Sequence, residues 1–129
     1  MNRARLIILV TGAMVGALVL HGIVSRSASA GSSKIRRTIL LSFKPEATPS
    51  DIQKVLGEVK QNISGMKGVN NVFVGAQVNS KAPFTHGISM DFDDDAALKA
   101  YRQDEEHHRT HNDYSHFIEK AQITDIRDE

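Results

Sequence analysis

The chain has 129 residues, 40% hydrophobic and 24% charged, a globular balance that allows one domain of ordinary size. Its formal net charge is +1, but three of the 16 cations (Arg3, Arg5 and Arg26) precede Gly31 with no acid among them, which leaves 13 basic against 15 acidic side chains beyond that point. That acidic remainder excludes general nucleic-acid affinity, which needs a basic footprint, and the absence of cysteine excludes disulfides, thiolate metal sites and a cysteine nucleophile.

Residues 1–30 have the form of a secretory signal. Arg3 and Arg5 supply a positive start, Leu6 to Val24 is almost wholly apolar, and Ala28-Ser29-Ala30 is a small-x-small cleavage sequence. The expectation is an exported protein, periplasmic or secreted, that begins at Gly31. The apolar run 6–24 is also close to the ~20 residues a spanning helix needs, so an uncleaved membrane anchor is the competing expectation. Membrane contact is expected only in that case. Gly31 to Ser33 is a short lead-in, and residues 34–129 form the domain.

Ile35, Arg37, Ile39, Leu41 and Phe43 alternate with Arg36, Thr38, Leu40 and Ser42, a period of two that predicts a strand ending before Pro45. Thr48-Pro49-Ser50-Asp51 predicts a helix start: Thr48 caps, Pro49 fits the first turn and Asp51 takes the capping-box position. Ile52, Val55, Leu56, Val59 and Ile63 form its apolar stripe, and Gly65 offers a left-handed stop. Val72, Val74, Ala76 and Val78 mark a second strand, with a loop from Asn79 to Thr85. His86, Ile88, Met90 and Phe92 share the apolar face of a third.

Asp93-Asp94-Asp95 is read as a helix cap rather than a cation site, because carboxylates are favoured at a helix N-terminus. The helix it opens carries Leu98 and Tyr101 and breaks at Asp104. A second helical piece places His107, His111, Tyr114, Phe117 or Ile118, and Ala121 on one side, and Gln122 to Arg127 reads as a short final strand. The order is that of an α+β, ferredoxin-like fold: a four-stranded antiparallel sheet with its helices on one face. The other face, with Leu40, Phe73, Gly75, Gly87 and Ser89, is then left bare, so a homodimer formed through the sheet is expected.

The run Ile35-Arg36-Arg37-Thr38-Ile39-Leu40-Leu41-Ser42-Phe43-Lys44-Pro45-Glu46-Ala47-Thr48, then Thr85-His86-Gly87, then Ala100-Tyr101 with His107 six residues on, resembles the stress-responsive A/B barrel domain over residues 34–129. The resemblance implies a dimeric α+β barrel. It also implies a catalytic pair at Tyr101 and His107, since a plant cyclase of the family closes a polyketide chain by aldol condensation with a Tyr and a His, and a pocket-lining role for His86. Family members often carry His-Pro-x-His where this chain has Asp104-Glu105-Glu106-His107.

By its chemistry His107 can serve as a general base and Tyr101 as a donor to a developing oxyanion. The plainer alternative is a core tyrosine beside a histidine that bridges helix pieces. Strand parity predicts that His86, Tyr101 and His107 converge as a ligand site. His107 and His111, with His108 and Asp104 or Asp113, have loose metal-ligand spacing, but no signature such as His-Glu-x-x-His accompanies them, so neither a metal nor a cofactor is expected. Three functions stay open: an exported dimer binding a small apolar or phenolic ligand, a cyclase- or lyase-like enzyme, and a structural stress protein without a ligand.

Overall fold

The computed structural model describes residues 34–129; the leader 1–30 and the lead-in lie outside the described residues. Strand β1 (Ile35–Phe43) is followed by helix α1 (Pro49–Ser64), strands β2 (Val69–Ala76) and β3 (His86–Phe92), helices α2 (Asp95–Gln103) and α3 (Glu105–Tyr114), and, after a single 3-10 turn, strand β4 (Ile118–Arg127). All strand pairs are antiparallel and the sheet runs β2-β3-β1-β4, so the two central strands are the first and third in sequence. This is the expected ferredoxin-like α+β fold.

Register explains which side chains enter the core. Ile35 pairs with Phe92, Arg37 with Met90 and Ile39 with Ile88, so one parity of β1 and β3 faces the helices throughout. On that face Phe92 and Met90 are fully buried, and Ile35, Leu41 and Ile88 nearly so. Each such burial stabilises the fold by about 1.5–3 kcal/mol. Val55 and Ile63 of α1 and Leu98 and Tyr101 of α2 complete the layer above. The capping box opens α1 as expected: the Asp51 amide donates to Thr48 Oγ1 at 3.1 Å and the Thr48 amide donates back to Asp51 Oδ2 at 2.9 Å.

Each acid of the Asp93-Asp94-Asp95 run has a structural partner. Asp94 caps α2 by accepting from the Ala97 amide at 2.8 Å, Asp93 accepts from Asn70 Nδ2 at 2.7 Å, and Asp95 pairs with Arg127 at 2.7 Å.

Three expectations need correction. Gly65 closes α1 in a right-handed conformation (φ −86°), and the left-handed residue is Gly68 (φ +78°), where an added Cβ would lie 2.7 Å from that of Ala97. Strand β2 starts at Val69 and stops at Ala76, leaving Val78 outside it and 98% exposed. Its alternation was obscured by a register shift between Asn70 and Phe73, where Asn71 adopts φ +51°, a conformation asparagine tolerates better than most residues. Finally, β4 is ten residues long, and Ile118 and Ala121 belong to it rather than to α3. Helical and strand periods overlap for so few apolar residues, and β4 is an exposed edge with a weak pattern.

Candidate functional site

The break between α2 and α3 builds the site. Asp104 is extended (φ −67°, ψ 127°) and serves both helices: its amide donates to the Tyr101 carbonyl at 3.3 Å, and its carboxylate accepts from the His107 amide at 2.8 Å. One side chain thereby ends the helix carrying Tyr101 and starts the helix carrying His107. The two rings come to 4.2 Å between centroids. Tyr101 also packs edge-on against Phe92 at 5.3 Å, which fixes it to the floor of the core.

Beside this pair, between the helix layer and the β1–β4 side of the sheet, lies an open-mouthed cavity of about 620 Å³. Ile39, Leu41 and Ile88 form its floor, Val55, Val59 and Ile63 of α1 one wall, and Tyr101, His107 and His111 another. The volume and the mainly apolar surface, with polar side chains such as Arg37, Asn62, Tyr101 and the histidines in its wall, are those of small-molecule sites. Asn62 Nδ2 donates to the buried Thr110 Oγ1 at 2.8 Å and ties α1 to α3 across one end.

Electrostatics separates the polar members. Burial pushes the His107 imidazole below its ordinary value, His108, His111 and Arg37 push the same way, and Asp104 opposes them. His107 is therefore neutral near pH 7 and can accept a proton. Burial pushes the Tyr101 phenol up, with the Arg37 cation opposing, so the hydroxyl stays protonated.

His86 does not join them. It is absent from the cavity wall, although its register partner Leu41 and its same-face neighbour Ile88 both form the floor. It packs edge-on against Phe43 at 5.1 Å, with Nδ1 2.9 Å from Thr85 Oγ1. Parity predicts the face a strand residue occupies, not the contacts of its ring, and the His86 ring packs on Phe43 and Thr85 instead of joining Tyr101 and His107 in the wall. Among the described residues no group of three or more His, Asp or Glu side chains is placed to hold a metal ion.

Sequence reasoning missed Arg37 as a site residue. It is only 6% exposed and lines the cavity, with its guanidinium 5.3 Å from the Tyr101 ring centroid. Its Nε and Nη2 donate to the two carboxylate oxygens of Asp125, the register partner on β4, at 2.7 and 2.8 Å. The available signal was a cation at a core-parity position between Ile35 and Ile39.

A ferredoxin-like domain with a helix-roofed cavity is the class the fold defines. The sequence profile of the stress responsive A/B barrel domain matches residues 35–128, and the chain belongs to that family. A family protein of Mesorhizobium loti with a ferredoxin-like fold is similar at 25% identity and TM-score 0.67, covering 73% of this chain and 95% of the other. Hydroxynitrile lyase from Passiflora edulis is similar in fold at 12% identity and TM-score 0.70, covering 76% and 95%. A Thermobifida fusca protein, described as a dimeric ferredoxin-like protein of unknown function, is similar at 15% identity and TM-score 0.67, covering 74% and 92%. No curated protein sequence matches this chain significantly.

Proposed function

We propose that this is an exported, homodimeric A/B barrel protein that binds a small apolar or phenolic molecule in the cavity beside Tyr101 and His107. The observation that carries this reading is the 620 Å³ apolar cavity at whose wall a phenol and an imidazole stand 4.2 Å apart. Apolar walls supply affinity, and the two polar groups orient a hydroxyl or carbonyl. Dimerisation is supported by the bare sheet face, where Phe73 is 71% exposed, and by similarly folded proteins described as dimeric. Export is supported by the leader sequence.

Native mass spectrometry of the protein purified from its own source tests the reading directly. A retained small molecule, one per protomer, is expected. Apoprotein that also ignores a panel of phenolic and β-keto compounds in calorimetry would instead favour a structural stress protein without a ligand.

A second reading, acid–base catalysis by Tyr101 and His107, is favoured by the neutral state of His107 beside a protonated phenol. The similarly folded Passiflora edulis protein is a hydroxynitrile lyase, so the fold accommodates an enzyme. Turnover of a bound β-keto compound, abolished by His107→Ala, would favour it over simple binding.

A further inference from the structure

We infer that the three imidazoles of α3, those of His107, His108 and His111, make the cavity a proton-coupled site, which holds a neutral apolar ligand while they are uncharged and releases it when they take up protons. This rests on the cavity being a ligand site at all, and it adds how binding there is regulated.

Helix α3 makes a poor structural wall for an apolar cavity. Its one buried residue is Thr110, and besides Thr110 and Tyr114 the residues it contributes to the lining are these three histidines. Aliphatic side chains at the same positions would gain more from burial, as Val55, Val59 and Ile63 do on the α1 side. The His107 ring is half-buried between the Tyr101 ring at 4.2 Å and the His108 ring at 5.6 Å, while His108 and His111 stand exposed at the mouth. None of the three forms an ion pair among the described residues. Imidazole is the side chain whose charge changes between about pH 5 and about pH 8, so this wall is neutral or cationic according to its surroundings.

The charged groups around this wall are mostly committed elsewhere. On α3 itself Arg109 holds Glu106 at 2.6 Å and Asp113 at 2.7 Å, and Glu105 is exposed in the first turn. On α1, Glu58 accepts from the Tyr114 hydroxyl. Arg37 of β1 and Arg102 of α2 share the Asp125 carboxylate of β4. Also on β4, Glu119 and Lys120 are exposed and opposite in sign, with the Lys120 amine over the Phe84 ring, and His116 of the 3-10 turn stacks on Phe117. Burial, then His108, His111 and Arg37, disfavour a charge on His107, and Asp104 alone favours one. A neutral ligand that fills the cavity displaces the water solvating the three rings, and a charged imidazole loses more by that than a neutral one. The bound state therefore disfavours protonation, and by linkage protonation weakens binding to the same extent.

Fluorescence titration with the neutral apolar probe N-phenylnaphthylamine at about pH 7.5 and about pH 5 tests this. Kd is expected to rise at least about tenfold at the lower pH. Calorimetry at about pH 6.5 in two buffers of unlike ionisation enthalpy is expected to show protons released as the probe binds. In the triple variant His107→Gln, His108→Gln, His111→Gln, both the rise in Kd and the proton release are expected to vanish. Equal Kd values at the two pH values, or binding without proton release, would overturn the coupling and leave the cavity as a binding site. Coupling that survives in the triple variant would overturn the role of the α3 histidines, and a probe that binds at neither pH would overturn both readings. Circular dichroism at each pH separates loss of the site from loss of the fold. Where the acid arm or the variant unfolds, the proton count at about pH 6.5 in the unmodified protein decides.

Discussion

Tyr101 and His107 touch through their rings, yet they differ in what their removal should show. Tyr101→Phe keeps the packing on Phe92 and deletes only the hydroxyl, so binding of a phenolic ligand should weaken by about 1 kcal/mol with the fold intact. If the hydroxyl only satisfies the core, melting temperature falls instead and isotherms are unchanged across the panel. His107 and His86 both have imidazoles held below their ordinary value, chiefly by burial. Between its folded and unfolded pKa each site binds more protons unfolded than folded, so stability is full above about pH 6.5 and declines as pH falls through that value. An NMR titration should place the His107 midpoint below 6.5, and a midpoint above it would contradict the burial account. On the opposite sheet face the Asp91 carboxyl is lowered to about 2, first by Arg36 and further by Asn71. Its contribution is present above about pH 3.8 and is lost as pH falls through 2, well away from the histidine window.

At the scale of elements, Asp104 and Gly68 are the positions where one residue decides how two elements meet. Asp104→Ala removes the cap of α3 and should cost about 1 kcal/mol in denaturant unfolding, whereas Asp104→Asn, which can still accept from the His107 amide, should recover most of it. Because the same residue sets the spacing of the Tyr101 and His107 rings, the alanine variant should also lose ligand affinity. Asp104→Ala with unchanged stability and binding would mean that packing of Tyr101 alone holds the helix break. Gly68→Ala combines a left-handed backbone with a Cβ 2.7 Å from that of Ala97, so it should destabilise by about 2 kcal/mol. A melting temperature within a degree of the parent would show that the entry to β2 can relax.

For the whole molecule, the proposed dimer and the proposed export each have a direct test. Phe73 stands 71% exposed on the sheet face opposite the helices, next to Gly75 and across from Ser89. Phe73→Asp should therefore shift the protein from dimer to monomer or aggregate in sedimentation velocity at low micromolar concentration. A stable dimer in that variant would place the interface elsewhere. N-terminal sequencing of the exported form should begin at Gly31, while the intact Met1 form in washed membranes would favour the anchor.

Local patterns carried most of the fold. The alternation from Ile35 to Phe43, the Thr48–Asp51 capping box and the acid-capped helix with Tyr101 are each decided within a few residues by backbone hydrogen bonding and side-chain parity, so they were legible one segment at a time. The closeness of Tyr101 and His107 was partly legible too, because both lie within one turn of the break at Asp104. Distances between segments were not legible. That the His86 ring packs on Phe43 while Tyr101 and His107 line the cavity depends on the β1–β3 register and on where α2 and α3 land on the sheet. That Arg37 is paired, buried and turned toward the cavity depends on Asp125, 88 positions away in the chain, arriving opposite it on β4. Parity acts on a strand alone, whereas a site forms only when the whole set of strand pairings and helix contacts is made at once, and that cooperative step belongs to the tertiary structure.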